Sequence, residues 1–212
     1  MLKVLFSICV AIVLFIGLLA CAVPNVRSGY SLKKAEIQGH GLLVGSITSD
    51  TPRTTFSADT NFYYTPAPGN QGLAPHINVN SGCDKKQLNI SDFNSSCNHL
   101  FAIDLPAGNY VIRGWNIRPG GPIIIWPLEW EPVPFTIQAG KATYVGRISM
   151  SLTVGDTIVG PEVKGGWPHI YDERDQDIPM LLKQYPLLRR GEFVFNILSF
   201  PEVGKSLECP CP

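Results

Sequence analysis

The sequence predicts a mainly β protein, an antiparallel β-sandwich with one short C-terminal helix. Three observations lead there. Phe101, Ile103 and Leu105 alternate with Ala102 and Asp104, and aromatic and β-branched residues fill 110–117. Ile148, Met150, Leu152 and Val154 alternate strictly with Ser149, Ser151 and Thr153, the pattern of a half-buried antiparallel strand. The 18 Pro and 20 Gly, with only 16% charged residues, describe many turns joining short strands. An apolar content of 45% argues against disorder.

Residues 1–20 read as a segment outside the fold. Lys3 precedes an apolar stretch from Val4 to Leu19, and Leu18-Leu19-Ala20-Cys21 follows it. A positive start, an apolar core and a small residue before the cut make a secretory signal peptide. The last four residues resemble the lipobox of bacterial lipoproteins, which implies cleavage between Ala20 and Cys21. It also implies a diacylglycerol thioether on Cys21 and acylation of the new amino terminus. Several acyl chains anchor a protein stably, since each buried CH₂ contributes about 0.8 kcal/mol. Ala22 stands where an Asp would, by analogy with enteric lipoproteins, hold the protein at the inner membrane. The outer membrane is therefore the expected address.

The domain division follows: a cleaved signal at 1–20, a lipidated N-terminus with tether and first strand at 21–38, the sandwich at 39–200, and a cysteine-containing tail at 201–212. Within the first part, 22–30 reads as a free tether carrying Pro24 and Ser28-Gly29. After the Gly39-His40-Gly41 turn, Leu42 to Thr48 is apolar on both faces and suits a central strand. Thr54 to Tyr64 follows as a strand, 65–75 as a Pro- and Gly-rich loop, and His76 to Asn80 as a short strand. The turn Pro106-Ala107-Gly108-Asn109 joins the first two alternating runs into an expected hairpin. A second hairpin is expected from Phe135 through Ala139-Gly140-Lys141 to Val154, and a third around Gly155-Asp156, ended by Gly160-Pro161. Glu192 to Leu198, with Phe193, Phe195 and Ile197 on one face, is expected as the last strand.

Between the first two hairpins, Ile123 to Pro132 mixes apolar, aromatic and acidic residues after a turn at 118–122. Prolines at 122, 127, 132 and 134 forbid a central strand and leave an edge segment or extended loop. This flap could fold back over a sheet. Alternatively, Trp126 and Trp130 could form an aromatic platform, with Glu129 and Glu131 as hydrogen-bond acceptors.

Asp172-Glu173-Arg174-Asp175-Gln176-Asp177 is the densest charge cluster, and His169 precedes it. Carboxylates beside a His could act as general acid and base or bind a hard cation. Carboxylates ahead of Pro179 and Met180-Leu181-Leu182 also suit the capped start of a helix over 177–185, stopped by Pro186. The helix start is the preferred reading, with a metal-dependent hydrolase near His169 and Asp172–Asp177 as the weaker alternative. No nucleophile elbow, zinc-binding His pair or phosphate-cradling loop is present, so no catalytic residue, resident metal or cofactor is expected.

Charge and cysteines narrow the partners. With 17 basic and 17 acidic residues the chain lacks the basic stripe of a nucleic-acid binder. Cys83, Cys97, Cys209 and Cys211 remain after lipidation, enough for two disulfides in an oxidising compartment with three connectivities open. Cys83 with Cys97 is favoured, since a bridge across a loop of that size stabilises by ~3 kcal/mol. Cys209-Pro210-Cys211 would close a strained ring.

Two stretches carry a family resemblance: "LPAGNYVI" over 105–112 and "FTIQAGKATYVGRI" over 135–148. They resemble the exported β-sandwich domains of the transthyretin-like and carboxypeptidase-regulatory type. The chain is especially similar to bacterial lipoproteins in which that pair precedes an acidic stretch and a short helix ending in Tyr-Pro, here Asp172–Asp177 and Tyr185-Pro186. The resemblance spans roughly residues 40–198. It implies a transthyretin-like or immunoglobulin-like sandwich fold and an envelope location, with Gly108 and Gly140 in turns and Tyr110 and Tyr144 in packing, and it carries over no catalytic residue. The expected function is a non-enzymatic outer-membrane lipoprotein, held in the membrane through Cys21, that binds or supports another envelope protein. The alternative is a glycan- or peptide-binding module using Trp126, Glu129 and Trp130.

Overall fold

The computed structural model describes residues 25–49, 59–68, 76–80, 99–118, 123–158 and 160–200. The signal segment, Cys21, the favoured Cys83–Cys97 bridge, the turn at 119–122 and the tail with Cys209 and Cys211 lie outside these residues. In chain order the elements are α1 (Leu32–Ile37), β1 (His40–Ser49), β2 (Asp59–Pro66), β3 (His76–Asn80), β4 (His99–Pro106), β5 (Gly108–Arg118) and β6 (Val133–Ile137). β7 (Ala142–Thr157), β8 (Gly160–Tyr171), α2 (Arg174–Gln184), a 3₁₀ turn (Arg190–Glu192) and β9 (Phe193–Phe195) complete them.

The strands form two sheets. Sheet A has the order β4-β1-β7-β8 with β9 also on β7, and sheet B the order β3-β2-β5-β6. Phe101, Ile103, Ile148 and Met150 of sheet A meet Phe62, Tyr64, Ile112, Trp115 and Phe135 of sheet B in one shared core. This is a sandwich, and it carries a third layer. The outward side chains Leu42, Val44, Ala102 and Tyr144 of sheet A pack against Leu32 of α1 and Ile178 and Leu181 of α2. The two-faced apolarity of 42–48 thus has its cause: β1 lies between β4 and β7, with sheet B below it and helices above.

The first two expected hairpins are instead crossings between sheets. β4 pairs with β1 and β5 with β2, so Ala107 is a corner where the chain leaves sheet A for sheet B. At the second site β6 pairs with β5 whereas β7 pairs with β1, so Gln138–Lys141 carries the chain back. Alternation fixes which face of a strand is buried, and both arrangements bury the same residues. The pairing is decided at long range, where β1 offers β4 a continuous antiparallel register from His40↔Pro106 to Ile47↔His99. Gly140 takes φ +67° in the return crossing and donates its N–H to His40 O at 2.8 Å.

Sheet A is mixed, in contrast to the all-antiparallel expectation. β1 runs parallel to β7, as does β9. A parallel pair needs a long connection, and all of β2 to β6 lies between β1 and β7. The third hairpin exists, but it closes at Thr157↔Gly160; Gly155 and Asp156 stay in the ladder opposite Glu162 and Pro161. Pro161 is tolerated because β8 is an edge strand. The expected last strand shrinks to β9, although Asn196 N–H and Leu198 N–H still donate to Tyr144 O and Val145 O of β7.

At the N-terminus no strand occupies residues 25–38; α1 forms there and buries Leu32 and Ala35. α2 begins at Arg174, earlier than expected, which places Pro179 inside the helix. It ends at Gln184, before Pro186, as expected.

Candidate functional site

The flap is held at two points and left open between them. Ile125 and Ile117 exchange N–H···O bonds at 2.9 Å, so the flap completes the edge of β5 beyond the reach of β6. Five residues on, the Trp130 indole N–H donates to Ile112 O at 3.1 Å, and its ring meets Phe200 edge-to-face at 5.2 Å. Phe200 in turn stacks on Phe62, a core residue of β2, at 6.0 Å. Trp130 therefore serves as a peg in the sandwich and does not share a platform with Trp126.

Trp126 lies over sheet B's outer face instead. Its ring stacks on Tyr63 at 5.4 Å and stays 55% exposed. Beneath it the Tyr63 hydroxyl accepts a 2.8 Å bond from Asn116 Nδ2, and Asn116 Oδ1 accepts one of the same length from Asn61 Nδ2. Both asparagines are buried, so the rings stand on a hydrogen-bonded base. Ile123, Ile124 and Leu128 are also exposed, Leu128 at 82%, and with Trp126 they give the flap an apolar crest. Glu129 and Glu131 flank it in solvent.

The acidic cluster divides among unrelated tasks. Asp172 makes a two-oxygen pair with Arg174, at 2.8 and 3.0 Å from Nε, which holds its carboxyl below the usual range. Glu173 reaches Arg147 at 4.0 Å. Asp175 sits exposed in the first turn of α2. The residue before the helix, Glu173, makes no side-chain capping bond, whereas Asp172 Oδ1 accepts the Arg174 N–H at 3.4 Å, so the acidic start expected is present with Asp172 at its end. His169 stacks on Tyr171 at 6.3 Å from an exposed position on β8. Among the described residues no three His, Cys, Asp or Glu side chains gather as a metal site would require.

Asp177 differs from its neighbours because it is completely buried. Arg147 pairs with its Oδ1, while Ser46 Oγ and the Tyr144 hydroxyl donate to Oδ2 at 2.5 and 2.8 Å. Arg147 Nε also donates to Ser46 Oγ at 3.0 Å. Burial, and then the Asp177 carboxylate beside it, push the Tyr144 phenol well above its ordinary range. The sequence reading offered Asp177 as a helix cap and gave no role to Arg147 or Ser46. The missed signal is a bulge. Val44 pairs with Tyr144 but Ser46 with Arg147, so two residues of β7 oppose Gly45, and Gly146 takes φ +99° there. Strict alternation would put Tyr144 and Arg147 on opposite faces; the extra residue turns both toward α2. The network closes a seam between sheet A and α2.

A second cluster ties the N-terminal segment down. The Tyr30 hydroxyl donates to Asp104 Oδ1 at 2.5 Å, and His40 Nδ1 lies 3.0 Å from Asp104 Oδ2. Partial burial and the carboxylate raise the Tyr30 phenol above its ordinary value. Comparison of the chain with protein-family models, curated proteins and solved structures gives no match.

Proposed function

We propose that the protein is a non-enzymatic envelope lipoprotein whose flap binds a protein partner. One observation carries this reading: Ile123, Ile124, Trp126 and Leu128 are exposed on a segment fixed by the Ile117–Ile125 bridge and the Trp130 peg. Exposed apolar surface on a fixed support is what interfaces use, because the contact side chains lose little freedom on binding. Trp is also among the commonest interface anchors. The lipobox-like Leu18-Leu19-Ala20-Cys21 supports attachment to the outer membrane, and a tether to one membrane raises the effective concentration of partners there. The two-sheet body supports the transthyretin-like resemblance, with the corner at Ala107 and the crossing at Gln138–Lys141 falling in its two motifs.

The test is a flap variant, Trp126→Ala with Leu128→Ser, expressed in cells and cross-linked in place. Capture of a discrete partner by the wild type and its loss in the variant, with the variant still melting cooperatively above the temperature of the experiment, supports the reading. Equal capture by both refutes it. A glycan-binding reading draws on the Trp126 ring over Tyr63, one flat face open to solvent. Sugar-dependent quenching of tryptophan fluorescence should then vanish in Trp126→Ala and persist in Trp130→Phe. A hydrolase at His169 and Asp172–Asp177 has less support, since Asp172 and Asp177 are each engaged by an arginine.

A further inference from the structure

The segment that reads as a free tether is bound to the body from Asn25 onward. Val26 N–H donates to Ala102 O at 2.8 Å, and Ala102 N–H donates to Asn25 Oδ1 at the same distance. Asn25 Nδ2 reaches Leu100 O at 3.3 Å, and Tyr30 holds Asp104. Residues 25–30 thus run along the outer edge of β4. Only Ala22, Val23 and Pro24 separate this edge from Cys21. A fully extended chain advances at most about 3.6 Å per residue, so Asn25 stands within ~14 Å of a lipid thioether on Cys21. That leash is too short to let the domain turn freely above a bilayer.

The bound segment and the helix that follows it have a composition of their own. Arg27, Lys33 and Lys34 are exposed, and Ile37 at the end of α1 is 83% exposed. Leu32 and Ala35 of the same helix are buried, so Ile37 is an apolar residue the packing does not use. The acidic residue among them, Glu36, has its side chain against Gly140. In a chain with 17 basic and 17 acidic residues, three exposed cations against one exposed acid, Glu36, over residues 25–37 are a local excess. Basic residues next to a lipid anchor are drawn to anionic headgroups, and an exposed apolar residue among them suits the interface.

We propose that the lipidated protein lies with this face on the bilayer, Arg27, Lys33 and Lys34 against anionic headgroups and Ile37 in the interface. The proposal rests on the lipid anchor at Cys21 and adds an orientation to it. Sheet A separates α1 from sheet B, so the flap is turned away from the lipid toward its partner.

The test uses the lipidated full chain in vesicles of phosphatidylethanolamine and phosphatidylglycerol, with photoreactive benzoylphenylalanine at Ile37 or at Leu128. Phospholipid adducts should form at position 37 and not at 128. They should fall by about fivefold for each of Arg27→Gln, Lys33→Gln and Lys34→Gln. Equal adducts at the two positions, or none at 37, overturn the orientation. Intact mass separates this from the anchor itself. A protein without diacylglycerol at Cys21 overturns both, whereas a lipidated protein that yields no adduct at 37 overturns the orientation alone.

Discussion

Asp177 shows how much one buried carboxylate can decide. Its two oxygens take an arginine, a tyrosine and a serine, so the cost of removing the charge from water is offset by bonds to every partner within reach. Asp177→Ala removes the buried anion that pairs with Arg147, and a loss of about 3–5 kcal/mol is expected from urea midpoints. Asp177→Leu combined with Arg147→Met should recover most of that, because an apolar pair removes both charges. If the double variant is as unstable as the single, the network does more than hold α2 to sheet A. Histidine supplies a pH dependence of its own. Burial lowers the pKa of His99 from 6.5, so the unfolded chain binds a proton that the folded chain resists. Stability from this group is complete above pH 6.5 and is lost as the pH falls through the lowered folded value. His99→Gln should flatten the melting temperature across that window. Tyr144 acts in the opposite direction: its raised pKa makes the folded state lose stability above pH 10, where the unfolded phenol ionises. Tyr144→Phe should lessen the alkaline decline, which Tyr30 and Tyr64 share because burial raises their phenols too.

At the scale of elements, the alternating patterns located β4, β5, β6 and β7. β6 buries every second residue as expected, whereas Ala142 to Met150 of β7, expected half-buried, is buried on both faces, with the helical layer over the second one. The neighbours of these strands were not legible. Phe101 and Tyr110 point into the same core whether β4 and β5 lie side by side or face each other, and only the long register of β4 on β1 decides. The bulge at Val145-Gly146 was equally hidden, since it is visible only as a slip against β1, and it is what gathers Arg147 and Tyr144 over Asp177. α1 escaped notice because six residues with two inward side chains carry too little period to signal a helix. The prolines of the flap, in contrast, announced an edge segment correctly. The Trp126–Trp130 pair split because one indole N–H found the Ile112 carbonyl. Trp130→Ala should loosen the flap and cost roughly 2 kcal/mol, less than a fully buried tryptophan. Trp126→Ala should cost about 1 kcal/mol or less, chiefly its stacking on Tyr63. At the second crossing, Gly41 lies so close to the returning chain that a Cβ would stand 2.2 Å from Gln138 O. Gly41→Ala should therefore destabilise by about 1–3 kcal/mol or more, measured by thermal melting.

For the molecule as a whole, three layers separate three tasks. The sheet A–sheet B core supplies most of the buried apolar surface, and the helical layer closes the outer face of sheet A through the Asp177 seam. The long edge strand β8 is blunted by Pro161, Pro168 and exposed Lys164, which disfavour pairing with a second copy. Over sheet B's outer face Trp126 is exposed on Tyr63, and Ile123, Ile124 and Leu128 are exposed on the same flap. The sequence showed the flap and its unusual composition; which of its aromatic residues faces solvent required the fold. The central claim is that this crest is a contact surface, and photo-cross-linking in living cells from position 128 addresses it most directly. The account predicts one discrete protein adduct at Leu128 that disappears when Trp126 is replaced by Ala. Its contradiction would be a folded protein that yields no adduct at 128, or one whose adduct survives Trp126→Ala unchanged.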